Sequence, residues 1–393
     1  MKKVGVIGSF SGRNAGDTAI LGNLLEDFSR IRDDILFVIP TLNPSFVNES
    51  FGKYRIRPIG MMPWHLSLKA LGLANLLAMT RTDMVLITDN ALFDRKLYNP
   101  LVNTLFTIAL LAPVSRKLGI PIVFYNASIG PIDTKAGHRM LQKVLDATKL
   151  LTLRDPITQE LLRNQQLLYP SVHLKADCAI NTEAASEERV NQICRDENVP
   201  DAENPGFVCF NVNAYIDNWS NQGTLNRSTF CKMIAGAADR VIEQLGVGMV
   251  FIVTQIMDRT ITRECIDQMR NKANVGLVGN DHYSYSDIAG VLQRAGTFIG
   301  LRTHALIFCA AVNTPMISIN SYPKNAGFMR SIYQDEWMIE FSELTEDAIV
   351  ERVSSSWRHQ DQRRDELTKI VPREKLKARE SADLVSDLLD LVG

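Results

Sequence analysis

The chain has 393 residues, with 43 lysines and arginines against 44 aspartates and glutamates, so its formal net charge at pH 7 is −1. This balance argues against a polycation that coats nucleic acid and against an acidic, solvating chain. At roughly 150 residues per domain, the length predicts two to three domains. The hydrophobic fraction of 46% is ordinary for a globular protein.

Cysteine usage and hydropathy predict a cytoplasmic protein. The six cysteines include no CxxC pair, and a chain of this size does not need disulfides, so we expect a reducing compartment and no structural zinc site. The apolar start of the chain is shorter than the roughly 7–15 residues of a signal-peptide core. The apolar stretch Leu101–Val114 is shorter than the roughly 20 residues of a membrane span.

Short apolar runs alternate along the chain with longer segments of helical periodicity. The predicted strands of the first half are Val4–Gly8, Ile35–Pro40, Met84–Thr88, Ile122–Asn126, Leu150–Leu153 and His173–Ala176. Those of the second half are Phe207–Val212, Met249–Thr254, Gly276–Val278, Thr297–Leu301 and Met316–Ile319. The predicted helices are Ala19–Ile31, Gly137–Ala147, Arg227–Leu245, Asp287–Ala295 and Ala305–Val312. This alternation predicts an α/β protein with parallel sheets covered on both faces.

A polar segment separates the two sets of strand–helix units. Residues 181–206 are charged and contain prolines, with one short helical stretch and little that could form a core. We therefore predict an α/β domain over residues 1–180, a linker region over 181–206, a second α/β domain over 207–359 and a helical segment over 360–393. The charges of this last segment are expected on a solvated helix face.

The turn after the first strand is a candidate ligand site, because ligands of open parallel sheets bind beyond the carboxyl ends of the strands. Asp17 is placed to cap the following helix. Gly12 and Gly16 permit close approach of the backbone to an anion or a sugar hydroxyl. The spacing matches neither a Walker loop nor GxGxxG, so both a capped turn and a ligand contact remain open.

The strongest candidate site follows the predicted strand Thr297–Leu301. Arg302, Thr303 and His304 stand where an apolar helix begins, and cations at a helix N-terminus indicate an anion. The next strand brings Lys324 to the same edge of the sheet. Arginine, lysine and a helix terminus together suit a phosphate or a carboxylate. The alternative is a surface turn with solvated cations.

Further polar residues follow strands of the first half. Arg154 either pairs with Asp155 or another nearby carboxylate, or completes the anion site from the other domain. Asp89 and Asn126 are suited to binding sugar hydroxyls, although for Asp89 the sequence favours a turn residue.

Several of these motifs resemble the polysaccharide pyruvyl transferase family, in the same order along most of the chain. The similar elements are Asn14-Ala15-Gly16-Asp17 (with Arg13 where glycine is usual), Ser128-Ile129-Gly130-Pro131, Arg154-Asp155, Ala176-Asp177, Arg302-Thr303-His304-Ala305, Pro315, and Lys324 through Phe328. Two departures, Thr88–Ala91 in place of a glycine-rich turn and Asn126–Ser128, lie in the half that the family is thought to use for the acceptor.

The resemblance implies two Rossmann-like domains facing across a cleft, similar to the GT-B arrangement. It implies an enzyme that moves the enolpyruvyl group of phosphoenolpyruvate onto a sugar diol, forming a pyruvyl ketal and releasing phosphate, without a cofactor or a metal. The residues expected to bind the donor are Arg154, Arg302, Thr303, His304 and Lys324. His304 is the expected proton relay, because imidazole exchanges protons near neutral pH.

The resemblance also implies a glycan or lipid-linked saccharide acceptor of exopolysaccharide or cell-envelope biosynthesis, and no nucleic-acid partner. The residues expected to bind the acceptor are Asn14, Gly16, Asp17, Asp89 and Asn126. The apolar segment Met61–Met79 is interpreted as a core or flanking helix, with a helix at the inner face of the membrane as the alternative. Peripheral membrane association and a homo-oligomer are left open.

Two other functions are compatible with the residues. One is a glycosyltransferase of the same fold that uses a nucleotide-sugar donor, in which Arg302 and Lys324 would hold the phosphates. The other is a non-catalytic relative that only binds glycan. The joint presence of Arg154, Arg302, His304 and Lys324 favours an enzyme over the latter.

Overall fold

The computed structural model describes residues 1–61, 73–89, 92–94, 104–201, 206–216 and 226–391. Most of Met61–Met79, part of the Thr88–Ala91 turn and the first residues of Leu101–Val114 lie outside the described residues. In the described part of the chain, no helix is both long and apolar enough to cross a bilayer.

The chain forms two compact units. Unit 1 comprises Met1–Gly12, Asp17–Cys178 and Lys375–Gly393, and unit 2 comprises Arg13–Gly16 and Ala179–Glu374. The segment 13–16 is thus part of unit 2, although its neighbours on both sides in the sequence belong to unit 1.

Unit 1 is built on a parallel sheet of seven strands in the order β3-β2-β1-β4-β5-β6-β7. The strands are β1 Lys2–Ile7, β2 Ile35–Thr41, β3 Ile56–Gly60, β4 Met84–Ile87, β5 Ile122–Ala127, β6 Thr148–Leu153 and β7 Val172–Leu174. The helices in this part of the chain include α1 Ala15–Ile31, α2 Pro44–Phe51, α3 Leu105–Lys117, α4 Lys135–Leu145 and α5 Pro156–Asn164. Every residue of the central strand β4 is buried, as expected for a parallel sheet covered by helices.

Unit 2 is built on a parallel sheet of six strands in the order β10-β9-β8-β11-β12-β13. The strands are β8 Phe207–Asn211, β9 Gly248–Val253, β10 Val275–Gly279, β11 Thr297–Gly300, β12 Met316–Asn320 and β13 Met338–Glu340. The helices are α6 Glu187–Asp196, α7 Arg227–Leu245, α8 Arg259–Gln268, α9 Tyr285–Arg294, α10 Thr303–Ala311, α11 Pro323–Ser331 and α12 Glu346–Arg358.

Both sheets have the doubly wound topology of a Rossmann-like domain. The strand order reverses between β1 and β4 in unit 1 and between β8 and β11 in unit 2. Such a reversal leaves a crevice at the carboxyl ends of the two strands, where open α/β sheets bind their ligands.

The last helix, α13, spans Gln360–Asp390 and contributes residues to both units. The prediction that its charges lie on a solvated face is wrong for two of them, because Arg363 and Glu374 are buried. Arg363 packs beneath Trp337, with 3.7 Å between the guanidinium carbon and the ring centroid.

The structure contains helices beyond the predicted ones, namely α2, α3, α5, α8, α11 and α12, and it also differs from the prediction in its strands and in the start of α1. The edge strands β3 and β13 were not predicted. Helix α1 begins at Ala15 rather than Ala19, so Asp17 lies in its first turn instead of at the N-cap. The short helical stretch expected within residues 181–206 is observed as helix α6, which packs against helix α9 within unit 2.

Candidate functional site

The carboxyl edge of the unit 2 sheet brings together residues from four neighbouring elements. Arg302 follows strand β11 and occupies the N-cap position of helix α10. Its backbone N–H donates to the Asn211 side-chain oxygen at 3.0 Å, and Asn211 lies at the end of strand β8. The amide nitrogen of Asn211 donates in turn to the Ile252 carbonyl at 2.8 Å. The backbone at Arg302 is therefore fixed at the switch point of this sheet.

The guanidinium of Arg302 forms a bidentate salt bridge with Asp258. Its Nε donates to Asp258 Oδ2 at 2.7 Å and its Nη2 to Oδ1 at 2.6 Å. Asp258 is fully buried and also accepts the backbone N–H of Ala214 at 2.9 Å. The Tyr215 ring centroid lies 5.8 Å from the guanidinium carbon. The sequence predicted a cation here, and the structure adds the carboxylate that orients it and balances its charge.

Thr303 and Lys324 are joined to the same edge through Asn325. The Thr303 hydroxyl donates to Asn325 Oδ1. Asn325 is fully buried, and its Nδ2 donates to the carbonyls of Leu301 at 2.9 Å and Ile319 at 3.3 Å. It thus ties the ends of β11 and β12 together. The half-buried Lys324 carries its ammonium 6.0 Å from the Tyr322 ring centroid.

His304 lies against Gly16 within unit 2. The segment 13–16 pairs with the chain after β9, with the Ala15 N–H donating to the Thr254 carbonyl at 2.8 Å and an antiparallel bridge between Asn14 and Gln255. A Cβ on Gly16 would lie 2.1 Å from Cγ of His304. Only glycine leaves room for the imidazole here. The structure therefore brings Asn14 and Gly16, which were predicted to bind the acceptor, to the unit that carries His304.

In unit 1, Arg154 is surrounded by three carboxylates and a serine hydroxyl at the carboxyl ends of four strands. Its Nη1 donates to Asp177, its Nη2 to Asp89 at 3.3 Å and its Nε to the Ser128 hydroxyl at 2.8 Å. Ser128 donates to Asp155, which caps helix α5. Arg154 is therefore paired with carboxylates of its own unit.

The electrostatics of this cluster keep Arg154 charged. Burial alone would lower the pKa of Arg154, but the negative charges of Asp177, Asp89 and Asp155 outweigh it, and the pKa lies above its ordinary value. With three carboxylates around one arginine, the cluster offers acceptors to hydroxyl groups as well as a cation. Asp89 has a left-handed backbone, with φ of 57°.

Two other residues that were predicted to bind the acceptor, Asn126 and Asp17, are buried in the protein. Asn126 is buried, its Nδ2 donates to the Ala378 carbonyl at 3.0 Å and its Oδ1 accepts from the Ser381 hydroxyl at 2.5 Å. Its amide therefore holds helix α13 against unit 1. Asp17 is buried in the first turn of helix α1.

The sequence missed Asp258, Asn211 and Asn325, the residues that position the predicted ones. Asp258 and Asn211 lie at or just beyond the ends of strands β9 and β8, so a search of every strand end would have found them. Asn325 stands beside the predicted Lys324. Within the described residues, no group of three His, Cys, Asp or Glu side chains could hold a metal ion.

Solved structures with similar folds include several whose descriptions name UDP or a UDP-sugar. S. aureus MnaA with UDP has a TM-score of 0.67 at 12% identity, covering 100% of this chain and 98% of that chain. UDP-GlcNAc 2-epimerase from Neisseria meningitidis has a TM-score of 0.66 at 10% identity, and the match covers 99% of each chain. Anabaena HepE with UDP and glucose has a TM-score of 0.62 at 12% identity, and the match covers 99% of this chain and 100% of that chain. At such identities the likeness defines the fold alone, which is GT-B-like with two Rossmann-like domains.

Within this fold class the chain belongs to the polysaccharide pyruvyl transferase family. The model of that family matches residues 14–322, which include Gly16, Arg154, Arg302 and His304. The protein is thus a member of a family of polysaccharide-modifying transferases. No curated protein matches it.

Proposed function

We propose that the protein is a ketal-forming pyruvyl transferase that uses phosphoenolpyruvate as donor and a sugar diol of a glycan as acceptor. The observation that carries the proposal is the family match over residues 14–322, which spans both the Arg302–Asp258 pair and the contact of His304 with Gly16. The reaction needs neither a metal nor a cofactor.

The donor carries a phosphate and a carboxylate, so its site requires cations. Asp258 bonds Nε and Nη2 of Arg302, and among the described residues no acceptor bonds Nη1, which suits this group to a ligand anion. Lys324 and the N-terminus of helix α10 add positive charge at the same sheet edge. These groups would also stabilise the charge on the departing phosphate.

His304 is proposed to move the protons. Protonation of the donor's methylene carbon makes C2 electrophilic, and one acceptor hydroxyl adds to C2 as it loses its proton. The second hydroxyl then displaces phosphate at C2 and closes the ketal. One hydroxyl proton ends on the new methyl group and the other on phosphate, so the imidazole is unchanged after turnover.

The Arg154 cluster of unit 1 is proposed to take part in binding the substrates. Asp89, Asp177 and Ser128 are suited to sugar hydroxyls, and Arg154 holds these three side chains in place. A glycan or a lipid-linked saccharide supplies such hydroxyls.

The test compares ligands by thermal shift. At about 100-fold excess over its Kd, phosphoenolpyruvate should stabilise the protein by about 2.7 kcal/mol. Phosphate release should then depend on a glycan diol, and the product should carry the mass of the ketal. Stabilisation by UDP or CMP without a response to phosphoenolpyruvate would favour a nucleotide-sugar glycosyltransferase. Glycan binding without any phosphate release would favour a non-catalytic relative.

A further inference from the structure

Helix α3 of unit 1 carries a stripe of exposed apolar side chains. Leu110, Val114 and Leu118 are 53%, 40% and 55% exposed. Since they are spaced by four residues and Leu118 is the C-cap residue of the helix, they lie along one side of it. The opposite side, which includes Ile108 and Ala112, is buried in the core of the unit. Single exposed leucines are common, but an aligned stripe indicates a surface with a partner.

The neighbouring helix α4 carries a parallel stripe of cations. Lys135, Arg139 and Lys143 are exposed and again spaced by four residues. The buried side of this helix, with Leu141 and Val144, faces the same core.

The two stripes belong to one layer of unit 1. Helices α3 and α4 pack against each other. They connect β4 to β5 and β5 to β6, which are neighbours in the sheet, so right-handed crossovers place both helices on the same face. Their exposed sides therefore form one surface, to which the exposed Arg116 and Lys117 add two more cations.

Acidic residues are sparse on this surface. Helix α3 and the chain up to Ile132 contain no aspartate or glutamate, and neither does helix α4. The exposed Asp133 and Asp146 flank helix α4 at its two ends. Apolar side chains beside a cationic row are the pattern of proteins that bind anionic membrane surfaces.

We propose that helices α3 and α4 dock on anionic phospholipid headgroups. Leu110, Val114 and Leu118 enter the headgroup region, while Lys135, Arg139 and Lys143 pair with lipid phosphates. A second copy of the chain fits less well, because a two-fold contact through this surface would bring the like-charged stripes together. The surface is distinct from Met61–Met79 and does not depend on the proposed reaction, although it suits a lipid-linked acceptor.

Vesicle flotation of the full chain tests the proposal. The protein should float with phosphatidylcholine vesicles that contain phosphatidylglycerol and stay unbound with phosphatidylcholine alone, and salt should weaken the binding. Replacing Lys135, Arg139 and Lys143 together by Gln should lower partitioning by about 100-fold, at about fivefold for each charge. Replacing Leu110, Val114 and Leu118 together by Ser should lower it by at least about tenfold.

Two controls separate docking from general effects. Leu376→Ser removes an equally exposed leucine on helix α13, and Lys369→Gln removes an exposed cation there. Both should float like the wild type. Absence of flotation with anionic vesicles, or flotation unchanged in the two triple variants, would overturn the proposal. So would a change of sedimentation coefficient in the serine variant without a change in flotation, because the stripe would then join two copies. Flotation requires no turnover, so a failure of the proposed reaction remains distinguishable.

Discussion

Asp258 fixes the orientation in which Arg302 can bind a ligand. A buried carboxylate that forms two bonds with a guanidinium fixes its plane, and removing either partner leaves the other charge buried, which costs about 3–5 kcal/mol. Donor binding and stability are therefore linked at this pair, and a test of the arginine must separate the two.

Arg302→Ala is expected to weaken phosphoenolpyruvate binding by about 10–100-fold, because a charge-assisted contact is worth about 1.5–3 kcal/mol. Lys324→Ala should weaken phosphoenolpyruvate binding to a similar extent. Asp258→Asn should weaken donor binding less, because it disturbs the orientation of Arg302 rather than removing it. Calorimetric titration of the donor measures each variant.

The double variant Arg302→Ala/Asp258→Asn is the control for stability. It should recover part of the free energy of unfolding lost in Arg302→Ala, and it should bind the donor no worse than Arg302→Ala does. Fully additive losses in donor binding would contradict a positioning role of Asp258.

His304→Ala should separate chemistry from binding. If the imidazole moves protons, the variant should bind phosphoenolpyruvate nearly normally and lose turnover by about 10²–10⁴-fold. Titration of the donor and phosphate-release kinetics on an accepted glycan measure the two quantities. Near-normal turnover would remove His304 from the mechanism.

Gly16→Ala should reproduce the effect of His304→Ala without altering the histidine. The added Cβ would lie 2.1 Å from His304 Cγ, so the imidazole and the backbone at residue 16 must move apart, and a displacement of about 1 Å can cost about 100-fold in rate. Turnover should fall while donor binding is retained. Gly60→Ala is the matched control, since among the described residues its Cβ would meet Pro44 alone, at 3.4 Å. Equal activity of both variants would contradict the requirement for this close contact.

At the scale of elements, Arg363 anchors helix α13 in unit 2. It donates to Ser356, to the Met316 carbonyl at 2.7 Å and to Gln334 at 3.1 Å, and it stacks on Trp337. Burial lowers the pKa of Arg363, so its charge is maintained against a desolvation penalty that these contacts offset.

Arg363→Ala should therefore lower the free energy of unfolding by about 2–4 kcal/mol, since it leaves buried acceptors without donors. Urea unfolding measures the loss. Arg358→Ala, at an exposed position of helix α12, should change stability by no more than about 0.5 kcal/mol. A similar effect of the two substitutions would show that Arg363 does not anchor the helix.

The elements that the sequence predicted are those with continuous apolar runs. Strands such as Met84–Ile87 are buried on both faces, and burial imposes the run of apolar residues that identifies them. The edge strand Ile56–Gly60 includes an exposed arginine and a proline, because only one of its sides is paired, so its sequence carries no such signal. The three residues of Met338–Glu340 are too few for a pattern.

The sequence indicated the cationic residues of the candidate site but not the residues that contact and position them. The position of Arg302 and His304 at a strand end was evident from the sequence. That Asp258 pairs with Arg302 depends on β9 and β11 flanking β8, and that Gly16 lies against His304 depends on the pairing of residues 13–16 with the chain after β9. Such long-range contacts leave no local signature.

At the scale of the whole molecule, the reactivity of the buried cysteines measures the unfolding of each of the two units. All six are free thiols; Cys194 is half-buried and the other five are buried. Burial raises the pKa of Cys178, Cys209 and Cys309. Since alkylation requires the thiolate and access to it, iodoacetamide at pH 8 should modify Cys194 first. The other five should react at least about 100-fold more slowly, because each of them needs the protein to open.

Cys178 belongs to unit 1 and Cys309 to unit 2, so their alkylation in increasing urea compares the stabilities of the two units. Helix α13 is bound in unit 2 through Arg363 and in unit 1 through Ser381, so loss of either unit removes packing from a helix that the other unit also uses. We therefore expect both cysteines to become reactive over the same range of urea, as measured by mass spectrometry of the alkylated peptides. Two separate transitions, or rapid labelling of Cys178 in the native protein, would show that helix α13 does not couple the units.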